Sequence, residues 1–131
     1  MREHVTPLDL RVVWEPNSPE AKLLTTDQGE AILTLNAHHD DVDQSKVVIH
    51  WSNVWSASMG YPNDEGNSDH RLYLDGLKEL SWAGIVNNSR VLESLPKQQR
   101  NQNREPTHFI VVTKEVTIEV VAGSLSVIRE P

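Results

Sequence analysis

The stretch "THFIVVTKEVTIEVVAGSLSVIRE", residues 107–130, decides the fold. It divides into three β-branched runs, "THFIVVT", "VTIEVVA" and "LSVIRE", separated by turn-forming residues. That pattern predicts three antiparallel strands. Gly123-Ser124 suits a type II′ turn with glycine first. Lys114-Glu115 lacks glycine, which predicts a four-residue loop built on a type I turn. An even-length loop keeps the facing pairs that a two-residue loop would give. Phe109, Val111, Val116, Ile118, Val120, Leu125 and Val127 then share one apolar face, which must be core. The reverse face carries His108, Ile110, Val112, Thr117, Glu119, Val121, Ser126 and Ile128. It is too apolar for a solvated surface and too polar for a simple core, so a second layer or a cavity is expected to cover it. His108 and Glu119 lie on it as diagonal neighbours, roughly 7–8 Å apart at the backbone and within side-chain reach.

Upstream, "LDLRVVW" (8–14) alternates Leu8, Leu10, Val12 and Trp14 and reads as a strand that "EPNSPE" (15–20) breaks. "EAILTLN" (30–36) and "SKVVIHWS" (45–52) alternate in the same way. Weaker strands are expected near 53–58, 71–74 and 80–86. Ser89 is a good N-cap for "RVLESL", and Pro96 limits that helix to less than two turns. The polar run 96–106 reads as a loop. The expected fold is mainly β: a single domain over 1–131, an antiparallel β-sandwich or partly closed barrel with one short helix near 89–95. A chain of 131 residues fits one compact domain.

Composition excludes several classes of function. The net charge is -7 and no basic run occurs, which argues against nucleic acid as a partner. Cysteine is absent, which removes disulfides, thiolate catalysis and cysteine-based zinc sites. "MREHVTPLDL" lacks the apolar core of a secretory leader, and no apolar run approaches the ~20 residues that span a bilayer. The expectation is a soluble cytoplasmic protein with no membrane partner.

Two segments invite chemistry. "AHHDDVDQS" (37–45) offers imidazole and carboxylate donors, but adjacent residues diverge on a strand and the calcium-loop glycine is missing. It reads as a solvated connection. "GYPNDEGNSDHRLYLDGL" (60–77) contains the turn Tyr61-Pro62-Asn63-Asp64-Glu65-Gly66. Residues 59–70 form a long connection of the kind that often carries function. His70 is a candidate ligand or general base, with Asp64 or Glu65 beside it. No nucleophile elbow, phosphate-binding glycine loop or zinc-protease helix occurs. His50, His70, His108 and Glu119 form a dispersed set without cupin-like spacing, so no metal and no cofactor are assigned. Trp14 and Trp51 read as core; Trp55 and Trp82 are left to line a pocket or an interface.

Pro62-Asn63-Asp64-Glu65, His70-x-Leu72, Gly76-Leu77, Asn88-Ser89, His108-Phe109-Ile110 and Thr117-x-Glu119 occur in that order. In this the chain resembles a family of short, uncharacterised bacterial proteins, over roughly residues 50 to 122. The resemblance supplies no reaction. It implies that Asp64, Glu65, His70, His108 and Glu119 form one constellation. The chain departs from the pattern at Thr113-Lys114-Glu115, where a second histidine and an aspartate would be expected.

The expected function is a non-catalytic module that binds a small ligand or a protein. Its candidate site residues are Tyr61, Asn63, Asp64, Glu65, His70, His108, Thr117 and Glu119. The alternative is a metal-assisted or acid/base enzyme using His70, His108 and Glu119. A third reading makes the same residues a structural network. Pairing of exposed sheet edges as a homodimer is also expected of such a fold.

Overall fold

The computed structural model describes residues 2–15, 20–41, 46–60, 70–95, 105–114 and 116–130. Within them lie β1 (His4–Pro7), β2 (Lys22–Thr25), β3 (Glu30–Asn36), β4 (Lys46–Gly60), β5 (Ala83–Asn87), β6 (Thr107–Val112) and β7 (Thr117–Glu130), with one helical turn α1 (Arg90–Glu93). The strands form one antiparallel sheet, in the order β1-β5-β6-β7-β4-β3-β2. The fold is therefore mainly β, and the sheet is not closed.

Its spine is the pairing of β4 with β7, which runs from Lys46↔Glu130 to Gly60↔Thr117. This corrects the expected turn at Gly123-Ser124: β7 is continuous through both residues. The runs 45–52 and 53–58 likewise fuse into β4. A long partner supplies ladder hydrogen bonds along the whole strand, so local turn chemistry has nothing to decide. The facing pattern nevertheless follows expectation. Ile118, Val120 and Ala122 enter the main core, and so do Leu125 and Val127, a skip of one residue in the alternation. On β4 the same skip separates Trp51 from Val54. Asn53 and Gly123 stand between the matched pairs Ser52↔Ser124 and Val54↔Ala122. Asn53 has φ 54°, a left-handed conformation that asparagine tolerates better than most residues. A further register shift lies between Val54 and Ser56. Between β6 and β7 the four residues 113–116 make the even-length connection, with Thr113 N–H donating to Val116 O at 3.0 Å.

Residues 8–14 are not the expected strand. Leu8 N–H donates to Ala83 O at 2.9 Å, Arg11 adopts φ 60°, and Arg11 N–H donates to Asp9 Oδ1 at 2.8 Å. The first bond carries the β1–β5 pairing one residue further; the left-handed Arg11 and its local bond to Asp9 then break the ladder. Trp14 then forms a single bridge with Ala37. The apolar alternation still faces inward: Leu8, Leu10, Val12 and Trp14 all pack on the main core. Trp14 meets Trp82 edge to face, with ring centroids 5.2 Å apart. In a flat sheet, four strand spacings, roughly 19 Å, would separate β3 from β5. One tryptophan joining both ends shows that the sheet is curled, with residues 8–14 across its mouth.

The outer face has a cover of its own. Val5, Leu72, Leu77, Val86, Ile110 and Val112 form a second buried cluster. The cover comes from 70–80, which is not a strand at 71–74 as expected but two successive 3-10 turns, Tyr73–Asp75 and Leu77–Glu79. Leu72 is buried while Leu74 is 80% exposed, so the period-2 pattern there is accidental. Gly76 joins the turns at φ 111°, where a Cβ would overlap the Val5 carbonyl. Only glycine takes that backbone that close to another chain segment. The weak run 80–86 becomes β5, whereas β1 and β2 had no counterpart in the sequence reading.

Candidate functional site

Glu119 is carried on the covered face of β7, diagonal to His108 on β6, through the pairs His108↔Val121 and Ile110↔Glu119. His70 arrives from the covering layer. Its Nδ1 accepts the Leu72 N–H at 3.1 Å. That fixes the tautomer: the proton is on Nε2, which donates to Glu119 Oε2 at 3.2 Å. His108 Nε2 donates to the other oxygen, Oε1, at 2.8 Å. Behind it, His108 Nδ1 lies 2.7 Å from Ser89 Oγ. The same Oγ accepts the Leu92 N–H at 3.3 Å, as the N-cap of α1. With the ring proton of His108 on Nε2, facing the Glu119 carboxylate, Nδ1 accepts the Ser89 hydroxyl.

Five groups from four chain segments thus form one chain of bonds: Leu72 N–H, His70, Glu119, His108 and Ser89. His108 and Ser89 are each 2% exposed. Burial on its own would push the Glu119 carboxyl up, but the hydrogen bonds from His108 and then His70 outweigh it. They hold the carboxyl well below the usual carboxylate range.

Glu3 extends the arrangement. Its buried carboxylate accepts the Arg90 N–H at 3.0 Å and the Arg71 guanidinium at 3.3 and 3.4 Å. It ties the residue after His70 to the residue after Ser89. Burial raises the Glu3 carboxyl, and the Arg90 amide and Arg71 lower it by more, so the net direction is down.

Chemically, this is a poor catalyst. Both nitrogens of both imidazoles have partners within the protein, so neither offers a free basic site. Glu119 holds its charge too firmly to serve as a general base near neutral pH. Ser89, His108 and Glu119 resemble a nucleophile relay, but the hydroxyl is buried and caps a helix. A metal centre fits no better, because both ring nitrogens that face Glu119 carry protons donated to it, at 3.2 and 2.8 Å, and present no lone pair to an ion. Among the described residues the group of three nitrogen and carboxylate donors within 4.8 Å of one another is His38, His39 and Asp40 instead.

Of the residues expected at the site, His70, His108 and Glu119 come together. Thr117 is buried on the same strand, paired with Val112 and with Gly60. Tyr61, Asn63, Asp64 and Glu65 lie outside the described residues. His50 is elsewhere, 2.8 Å from Glu30 across β3 and β4. Sequence reasoning missed Glu3 and Arg71, and saw Ser89 only as a cap. The pair Asn88-Ser89 before a helix was the one available signal for the latter.

A separate cavity of about 380 Å³ opens at the mouth of the curled sheet. Leu8, Leu10, Val12, Val13 and Trp82 wall it, with Asp9, Arg11, Asp41 and Arg129 also lining it. A smaller one of about 280 Å³ shares Leu8, Asp9 and Trp82.

Fold and site together define an open antiparallel β half-barrel whose outer layer is clasped to the sheet by a histidine–carboxylate–histidine bridge. No family model, no curated protein and no solved structure matches the chain. Among the described residues, no helix is long and apolar enough to cross a membrane.

Proposed function

We propose that the domain is a non-catalytic binding module for a small ligand, seated in the mouth cavity rather than at the histidines. The observation that carries this is the contrast between the two places. The clasp has its polar atoms satisfied internally, whereas the mouth presents five apolar side chains beside two arginines and two aspartates. An apolar body with a few convergent polar groups is the usual make-up of a small-molecule site. The enzyme reading has one observation in its favour, the short Ser89–His108–Glu119 relay, and the burial of Ser89 opposes it. The proposal includes a bacterial, cytoplasmic setting, kinship with the short proteins that share the P-N-D-E and H-F-I motifs, and homodimer pairing through an edge strand such as β2.

An anionic naphthalene sulfonate dye tests the cavity, since its ring suits the apolar wall and its sulfonate suits Arg11 and Arg129. Saturable one-to-one fluorescence enhancement is expected, weakened about tenfold by Trp82→Ala. Trp82 also supports Trp14, so the exposed Arg129→Glu variant supplies the second arm and is expected to weaken the dye as well. No saturable enhancement, or one that neither variant changes, would remove the cavity as the binding site.

A further inference from the structure

The connection after β3 carries His38-His39-Asp40 just beyond Ala37. On a strand these neighbours would point to opposite faces. Here the chain turns, with Asp41 N–H donating to His38 O at 2.8 Å and Asp40 N–H to His38 Nδ1 at 3.2 Å. The turn stacks the two imidazoles, their centroids 4.1 Å apart and their planes at 29°. One donor atom from each of His38, His39 and Asp40 lies within 4.8 Å of the others.

Protonation is set by the surroundings. His39 Nδ1 lies 3.1 Å from Glu15 Oε2, to which it donates, and this leaves a lone pair on Nε2. His38 Nδ1 accepts a backbone N–H, so it too bears a lone pair. These two nitrogens stand 3.5 Å and 3.6 Å from the two oxygens of Asp40. Good N–H···O bonds are shorter, about 2.7–3.2 Å. The edge of a tetrahedron built on zinc bonds of ~2.1 Å is about 3.4 Å.

We propose that His38, His39 and Asp40 bind one divalent ion of the zinc class, with Glu15 as the outer carboxylate that orients His39. Two imidazoles and a carboxylate, with water in a fourth position, are a donor set that suits zinc. A carboxylate accepting the other ring N–H of a ligating histidine is the usual outer-shell partner. The ion displaces the 3.2 Å amide contact at His38 Nδ1. It fixes the β3–β4 connection to residue 15, next to the Trp14–Ala37 bridge across the sheet mouth. The net charge of -7 favours a cation there.

The full chain, purified without an affinity tag, would be titrated with zinc by calorimetry and with cobalt(II) by visible absorption. One ion per chain is expected, with the strong visible bands of tetrahedral cobalt. His38→Ala and His39→Ala should each weaken binding by roughly a hundredfold, and Glu15→Gln by roughly tenfold. His50→Ala, on β4 against Glu30, should change nothing. Absence of stoichiometric binding, binding without the cobalt bands, or binding that survives both His38→Ala and His39→Ala would overturn the proposal.

Discussion

Glu119→Ala is expected to lower the unfolding free energy by about 3 kcal/mol, measured by urea denaturation near neutral pH. The substitution strands two ring N–H donors, one of them on His108, which is 2% exposed. It also removes the group that bridges His70 of the 70–80 layer to His108 of β6. Glu119→Gln should cost less, about 1 kcal/mol, for a specific reason. His70 is locked with its proton on Nε2 by the Leu72 amide, so the glutamine oxygen must face His70. Its NH₂ then faces His108, which can exchange tautomers and turn Nδ1–H toward Ser89. Acid separates the variants further. The folded carboxyl titrates below its ordinary value of 4.5, so the unfolded chain takes up protons first as pH falls. The contribution of Glu119 is therefore complete above about pH 5 and is lost progressively below the ordinary carboxylate range. The stability gap between wild type and Glu119→Ala should narrow on acidification. A constant gap down to pH 3 would mean that the carboxylate charge contributes nothing.

Glu3→Ala is the second large loss, expected at about 2 kcal/mol. The figure is smaller because the partners it releases can reach water: the side chains of Arg71 and Arg90 are 43% and 81% exposed. The Arg90 amide is the group left wanting. Glu3 also titrates below its ordinary value, so its contribution fades in the same acid window. The distinguishing readout is local. Hydrogen exchange should accelerate at Tyr73, Asp75 and Leu77, whose amides close the turns over 70–77, and at Leu92 to Leu95, in and just after the helix. Exchange in β3 and β4 should not change. Uniform acceleration over the whole sheet would mean that Glu3 acts on global stability alone.

How much of this was legible depends on the range of each interaction. Alternation over 107–122 and 30–51 is a local property, and it correctly gave β3, the start of β4, β6 and the core face of β7. The diagonal meeting of His108 with Glu119 followed from the even-length connection at 113–116. Gly123-Ser124 misled because a glycine–serine pair signals a turn only when neither neighbour has a longer partner; here β4 continues past it. The run 71–74 misled because Leu72 and Leu74 alternate in sequence, while Gly76 takes the chain out of extended geometry. His70 could be named but not placed, since its contact with Glu119 spans 49 positions. Glu3 could not be named at all: a lone glutamate among polar neighbours looks solvated until Arg71 and Arg90 fold over it. The pair His38-His39 was dismissed on strand geometry, and the structure places it in a turn.

The central claim is that the histidine–carboxylate–histidine bridge is a framework with no free basic nitrogen. The most direct test is ¹⁵N NMR of the histidine side chains in the full chain at neutral pH, read through long-range ring couplings. The expected result is His70 with a bare Nδ1 and a protonated Nε2, and His108 with a protonated Nε2. A bare Nε2 on His70, or rapid exchange of its ring between tautomers, would contradict it and return His70 to the list of candidate bases.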